Sequence, residues 1–165
     1  MKYENDGGPG FRRCAELIRQ YSILPARDIN HLVRWAVFNL CIGNMDAHAK
    51  KLSLYTVNWN LKLAPFYDLI STLQYPAFNG DLAMCIGARR NPAKIGKKQW
   101  DAFSEELLLP KPFVLNEVCK VIQNIINCLP DVVAELSPLP VDQSFISDLK
   151  QNILHRCMSL RRLLA

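Results

Sequence analysis

Gly43-Asn44-Met45-Asp46-Ala47-His48-Ala49-Lys50-Lys51-Leu52-Ser53-Leu54 marks the point where the apolar pattern of the chain changes period. Upstream, Ile29, Leu32, Val33, Ala36, Val37 and Leu40 recur at the spacing of one helix face. Pro25 stands where such a helix can begin, because a first-turn residue needs no N–H. Gly43 stands where it can end, because glycine adopts the left-handed C-terminal cap without steric cost. Downstream, Leu52-Ser53-Leu54-Tyr55-Thr56-Val57 reads as a strand, Asn58-Trp59-Asn60 as a turn and Leu61-Lys62-Leu63 as the returning strand. Asp46, His48, Lys50 and Lys51 therefore fall on a loop between a helix end and a short hairpin.

Outward from this junction the chain is mostly helical. Asp6-Gly7-Gly8-Pro9-Gly10 is a loop leading into a helix near residues 10–22, with Phe11, Cys14, Leu17, Ile18 and Tyr21 on one face. Residues 65–96 contain Pro65, Pro76 and Pro92 and read as irregular, with a short strand expected at Leu82-Ala83-Met84-Cys85-Ile86. Helices are expected near 97–108, 113–128 and 142–163, with a shorter one near 130–136. Pro110, Pro112, Pro138 and Pro140 punctuate the joints. The pattern predicts a mainly α fold with one small β-hairpin, in a single domain spanning 1–165 with no internal repeat.

Composition excludes several classes. Half of the residues are hydrophobic and 21% are charged, which is the balance of a globular chain and not a disordered one. No apolar run has the roughly 18–20 residues of a membrane span. The opening ten residues are polar and Gly-rich, unlike a secretory signal, so the expected location is cytoplasmic. The six cysteines (14, 41, 85, 119, 128 and 157) show no C-x-x-C pairing and read as small buried hydrophobes in a reducing compartment. The net charge of +5 gathers at Arg89-Arg90, Lys94, Lys97-Lys98 and Arg156, Arg161-Arg162. A solvated face accounts for it as well as a phosphate-bearing partner does, and no nucleic-acid-reading signature accompanies it. Trp35, Trp59 and Trp100 read as packing residues, and His31 and His155 as ordinary surface or half-buried histidines.

Three blocks carry a resemblance: Lys2-Tyr3-Glu4-Asn5-Asp6-Gly7-Gly8-Pro9-Gly10, Ile42 through Leu54, and Leu63-Ala64-Pro65-Phe66-Tyr67-Asp68-Leu69-Ile70-Ser71. In order and spacing they are similar to the C-terminal region of the HipA toxin kinases, and the resemblance covers essentially the whole chain. It implies the helical C-lobe of a HipA or protein-kinase-like fold and phosphoryl transfer from ATP to serine on a protein. Asp46 would be the catalytic carboxylate that orients the substrate hydroxyl, His48 and Lys50 would belong to the catalytic loop, and Lys50 could touch a phosphate. Asp68 would bind Mg²⁺ as a kinase D-F-G aspartate does. The implied partners are a HipB-type helix-turn-helix antitoxin, DNA only through that antitoxin, and a protein substrate such as an aminoacyl-tRNA synthetase.

The chain departs from the family pattern in two respects. Protein kinases place a metal-binding Asn five residues after the catalytic Asp; here that position is Lys51. A protonated Lys has no lone pair for a metal, and its charge repels one, although an ammonium beside the nucleotide phosphates could replace part of the lost metal charge. Also, no G-x-G-x-x-G or Walker-type loop occurs in residues 1–165. The expectation is a separated or truncated C-terminal half of a kinase, weak or inactive alone, whose N-lobe comes from a separate polypeptide. The alternative is a pseudokinase module that binds an antitoxin or other partner without catalysis. On local grounds alone, Asp68 also reads as a helix N-cap for Leu69-Ile70-Ser71. Asn44, Asp46 and His48 are too few to close a hydrolytic metal site.

Overall fold

The computed structural model describes residues 1–75 and 80–164, so Pro76 lies outside the described residues. The described residues form five α-helices and one two-stranded sheet: α1 (Phe11–Tyr21), α2 (Pro25–Ile42), β1 (Leu54–Val57), β2 (Asn60–Leu63), α3 (Lys97–Glu106), α4 (Lys111–Leu136) and α5 (Gln143–Leu164). The fold is mainly α with a small hairpin, as the periodicity predicts.

The second helix is the axis of the core. It packs against α1, α4 and α5, and Leu32, Val33, Val37, Leu40 and Cys41 are fully buried between them. From α1 come Phe11 and Ile18, from α3 Trp100 and Phe103, and from α4 Val114, Val118 and Ile122. Phe103 meets Phe11 and Trp100 edge to face, at ring separations of 5.0 and 5.5 Å. Two polar contacts fix how the helices sit. Arg34 of α2 donates to the buried Glu117 of α4 at 2.6 Å. Arg156 of α5 donates twice to the carbonyl of Leu40, at 2.8 and 3.1 Å, satisfying an acceptor in the last turn of α2.

The hairpin is antiparallel, with Leu54 opposite Leu63 and Val57 opposite Asn60. Its two-residue turn places Asn58 and Trp59 both at positive φ, the geometry whose twist matches the strands. The sheet is not free-standing. Asp28, in the first turn of α2, is fully buried; its carboxylate accepts from the Ser22 hydroxyl at 2.6 Å and the Leu63 backbone N–H at 2.8 Å, and pairs with Arg27. Ile23 N–H donates to the Leu61 carbonyl at 3.0 Å. The hairpin therefore hangs from the α1–α2 corner.

Several sequence expectations need correction. The helices expected near 113–128 and 130–136 are one continuous helix, α4, with Pro130 inside it. Pro130 lies on the exposed face, where water can take over the hydrogen bond that proline cannot make. The strand expected at Leu82–Ile86 does not form: Leu82, Ala83, Met84 and Ile86 are buried, but among the described residues the segment's only bridge is an isolated one from Ile86 to Arg89 across a tight turn. Leu69-Ile70-Ser71 is not helical, so Asp68 is not an N-cap. Cys14, Cys41 and Cys157 are buried, Cys85 is half-buried, and Cys119 and Cys128 are exposed. Trp35 and Trp100 pack in the core, whereas Trp59 is 98% exposed at the hairpin tip. His31 is half-buried and His155 exposed.

Removing the Asp28 carboxylate would leave the Leu63 N–H and the Ser22 hydroxyl without their acceptor. Asp28→Ala is expected to cost about 2–4 kcal/mol, measured by urea denaturation.

Candidate active site

The site begins at the end of α2. Gly43 takes φ +73°, and its N–H closes on the Asn39 carbonyl. The left-handed backbone favours glycine here, and a Cβ at Gly43 would also press on the Leu73 side chain. The turn is then locked from the far side. Thr72 donates its hydroxyl to the Gly43 carbonyl at 2.8 Å, and the same hydroxyl accepts from Met45 N–H at 3.1 Å. Asn44, buried, donates to the Asn39 side chain at 2.8 Å and to the Asp68 carbonyl at 3.1 Å. Its own oxygen accepts from Asp46 N–H at 3.1 Å. These bonds bring the Asp46 loop and the Asp68 segment together, 22 residues apart in sequence.

Three donors hold the Asp46 carboxylate. Lys2 Nζ stands 2.9 Å from Oδ1, Tyr3 donates its phenol to the same oxygen at 2.8 Å, and Lys51 Nζ lies 2.9 Å from Oδ2. Lys51 also pairs closely with Asp68 Oδ2, so a single ammonium bridges the two carboxylates. Burial opposes a charge on Asp46, but the hydrogen bonds from Lys51, Lys2 and Tyr3 outweigh it and hold the carboxyl down at about 2. Burial likewise disfavours the Lys51 ammonium, and its hydrogen bonds to Asp68 and Asp46 reverse that and raise its pKa. Lys51 is 7% exposed and sits in the short 3-10 turn Ala49–Lys51. Asp68 occupies the left-handed region at φ +56°, an uncommon backbone for a residue other than glycine.

The other predicted residues stand apart from this bridge. His48 is buried, with its ring edge-on to Tyr3 at 5.8 Å and Nε2 4.0 Å from Asp46 Oδ1; its Nδ1 has no hydrogen-bond partner among the described residues. Burial lowers its pKa, outweighing the pull of Asp46, so the imidazole is neutral near pH 7. Lys50 is exposed and its ammonium makes no ion pair among the described residues; its carbonyl accepts from the Tyr67 hydroxyl at 3.2 Å. Phe66 and Leu69, flanking Asp68, line an apolar groove of about 540 Å³ with Trp35, Phe38, Ile125 and Leu129.

Sequence reasoning missed Lys2 and Tyr3 as site residues. Both belong to the first block of the resemblance, but nothing local to them signals a contact 43 residues away. It also missed Thr72, whose role depends on a chain reversal.

A divalent cation shared by Asp46 and Asp68 would need oxygens open to it. Here the ammonium of Lys51 occupies the space between them, and Asp46 Oδ1 is already engaged by Lys2 and Tyr3. The residues present do not fit the Mg²⁺ that the resemblance implies.

With this geometry in place, the comparisons with known proteins assign the chain. The model of the HipA-like C-terminal domain matches residues 1–131, and the chain belongs to that family. It is 34% identical over 160 residues to the putative kinase Y4mE of Sinorhizobium fredii, covering 97% of this chain and 38% of that protein. It is 31% identical over 167 residues to the serine/threonine-protein kinase toxin HipA of Shewanella oneidensis, covering 94% of this chain and 39% of that protein. A solved structure of Shewanella oneidensis HipA with HipB and its operator DNA superposes with a TM-score of 0.86 at 30% identity, over 94% of this chain and 37% of that one. The chain thus spans about two fifths of the length of these relatives. Among the described residues no helix is long and apolar enough to cross a membrane.

Because Asp46 is held below its ordinary value of 3.8, its contribution to stability is present above about pH 4 and is lost as pH falls toward 2. Asp46→Asn is expected to lower stability at pH 7 by about 1–2 kcal/mol, allowing for screening at the half-exposed Lys2, and to flatten the decline between pH 4 and 2. Urea titrations at a series of pH values measure both effects.

Proposed function

We propose that residues 1–165 form the C-terminal lobe of a HipA-like serine/threonine-protein kinase of a toxin–antitoxin system. Its reaction would be transfer of a phosphoryl group from ATP to a serine on a protein substrate. The observation that carries this reading is the convergence of Asp46 and Asp68 on one cation, Lys51, at the end of α2. Two carboxylates brought together around positive charge are the core of a phosphoryl-transfer centre, where catalysis is mostly positioning and charge stabilisation.

Asp46 would orient the hydroxyl. An ionised carboxylate has about four acceptor sites. Lys2 and Tyr3 take two on Oδ1 and Lys51 one on Oδ2, which leaves a single site on Oδ2 for a substrate hydroxyl. A carboxyl held at about 2 is a poor proton acceptor, so its role in this reading is to align the hydroxyl rather than to deprotonate it in advance. Lys50, exposed beside the turn that carries Lys51, would meet a nucleotide phosphate; neutral His48 would brace the loop through its packing on Tyr3. The phosphate-binding lobe is not among residues 1–165, and activity of these residues without it would be weak or absent. The solved relative is a complex with HipB and operator DNA, which supports an antitoxin partner for this chain and contact with DNA through that partner. A cytoplasmic location belongs to the same reading.

The contact of Lys51 with both carboxylates also favours a second reading, a non-catalytic module that engages an antitoxin or kinase partner. The two separate on one variant: Lys51→Asn raises activity under the first and leaves partner binding unchanged under the second.

The test supplies the upstream portion of the Shewanella relative as a separate polypeptide and follows label from ATP into protein serine. Label should appear only when both polypeptides are present and fall roughly 100-fold or more in Asp46→Asn. Undiminished labelling in Asp46→Asn would sink the assignment.

A further inference from the structure

We propose that Lys51 is a built-in replacement for the divalent cation of this site, so that the Asp46–Asp68 pair binds no metal until that ammonium is removed. The inference rests on reading Asp46 and Asp68 as the phosphoryl-transfer carboxylates, and goes beyond it in assigning the cation between them to the chain itself.

Four observations carry it. Lys51 Nζ contacts Asp46 Oδ2 at 2.9 Å and Asp68 Oδ2 more closely still, the bridging place a shared metal takes between two carboxylates. The ammonium has little freedom to leave. Its residue is 7% exposed, on a 3-10 turn pinned by Lys51 N–H to the His48 carbonyl at 3.0 Å and by Leu52 N–H to the Ala49 carbonyl at 3.0 Å. The charges already balance: Lys2 and Lys51 stand against Asp46 and Asp68, so a dication would add charge to a neutral cluster and sit beside a fixed ammonium. Finally, the neighbouring amide is tied into the fold: Asn44 Oδ1 accepts from Asp46 N–H, and its amino group donates to the Asn39 side chain and the Asp68 carbonyl.

The replacement is also chemically coherent. An ammonium donates three hydrogen bonds and carries one charge, so it can join two carboxylates as a metal does. It cannot polarise a phosphate oxygen as a Lewis acid, and it cannot exchange with solvent. The cost of bringing the two carboxylates together is met within the fold, independently of the metal supply.

Mn²⁺ serves as the probe, followed by the loss of its free-ion electron paramagnetic resonance signal on titration into the whole chain. Wild type is expected to show no titratable Mn²⁺ site up to millimolar metal. Lys51→Asn and Lys51→Met, the second of which keeps the packing of the stem, should each bind one Mn²⁺ at least tenfold more tightly than wild type. The gain should vanish when Asp68→Asn is added to either variant. Circular dichroism establishes that each variant is folded, and either one suffices. A wild-type Mn²⁺ site that disappears in Asp68→Asn would overturn the proposal, and so would a folded Lys51 variant with no gain. Metal binding is read without turnover, so failure here leaves the kinase reading to its own labelling assay, and failure there leaves this measurement intact.

Discussion

A helix cannot simply stop in a protein interior. Its last carbonyls need donors, and the chain leaving it needs a direction. At the end of α2 both demands are met in a space of six residues, and everything in the site is placed by how they are met. Arg156 supplies donors to Leu40, the Gly43 N–H closes on Asn39, and Thr72 grips the Gly43 carbonyl from a segment almost thirty residues further on. Because that last bond comes from the Asp68 side of the fold, the same hydrogen bonds that end the helix also bring the second carboxylate to the first. Asn44 completes the arrangement by bonding both the helix and the Asp68 backbone. The electrostatic bridge through Lys51 is thus built on a capping motif, and a disturbance of the cap would separate the carboxylates before it altered any charge.

The helices around this point were legible because their signals are local. The 3-4 spacing of Ile29 to Leu40, the proline at one end and the glycine at the other gave α2 almost to the residue. The turn read at Asn58-Trp59-Asn60 was legible for the same reason, although Asn60 already belongs to β2. Legibility failed where the outcome depended on a partner distant in sequence. Leu82 to Ile86 has the apolar content of a strand, yet among the described residues its backbone bonds go to the turn at Arg89 and Arg90 and to Glu4 and not to a neighbouring strand, so it is an irregular, largely buried segment. Pro130 has the local signature of a break and is overridden by the packing of α4 on α2 and α5. Trp59 is a bulky aromatic that would ordinarily be buried, but the turn that requires its backbone also carries it away from the core.

The candidate site divides the same way. Asp46, Asp68 and the anomaly at Lys51 stand out in the sequence because motif spacing singles them out. That Lys51 would reach both carboxylates does not follow from the spacing, and neither does the part played by Lys2 and Tyr3. Those two come from the opening segment, folded back so that Glu4 bonds the backbone of Cys85 and Ala83. The positive side of the cluster is therefore assembled from two separate stretches of chain, and only one of them carries a recognisable motif.

The Arg156–Leu40 contact bears on where this unit ends. The family model matches residues 1–131, and a boundary drawn there would fall inside α4. It would also remove α5 and with it the guanidinium that fills the acceptor positions on Leu40. Those positions lie three residues before the glycine from which the Asp46 loop departs. The match to the family model and mechanical integrity thus draw different borders: the last helix lies beyond the matched residues, although the alignment with the Sinorhizobium relative covers 97% of the chain, and it acts as a strut for the end of α2. Fragments or chimaeras cut at the edge of the residues that the family model matches would keep every motif residue and lose the support that holds them in register.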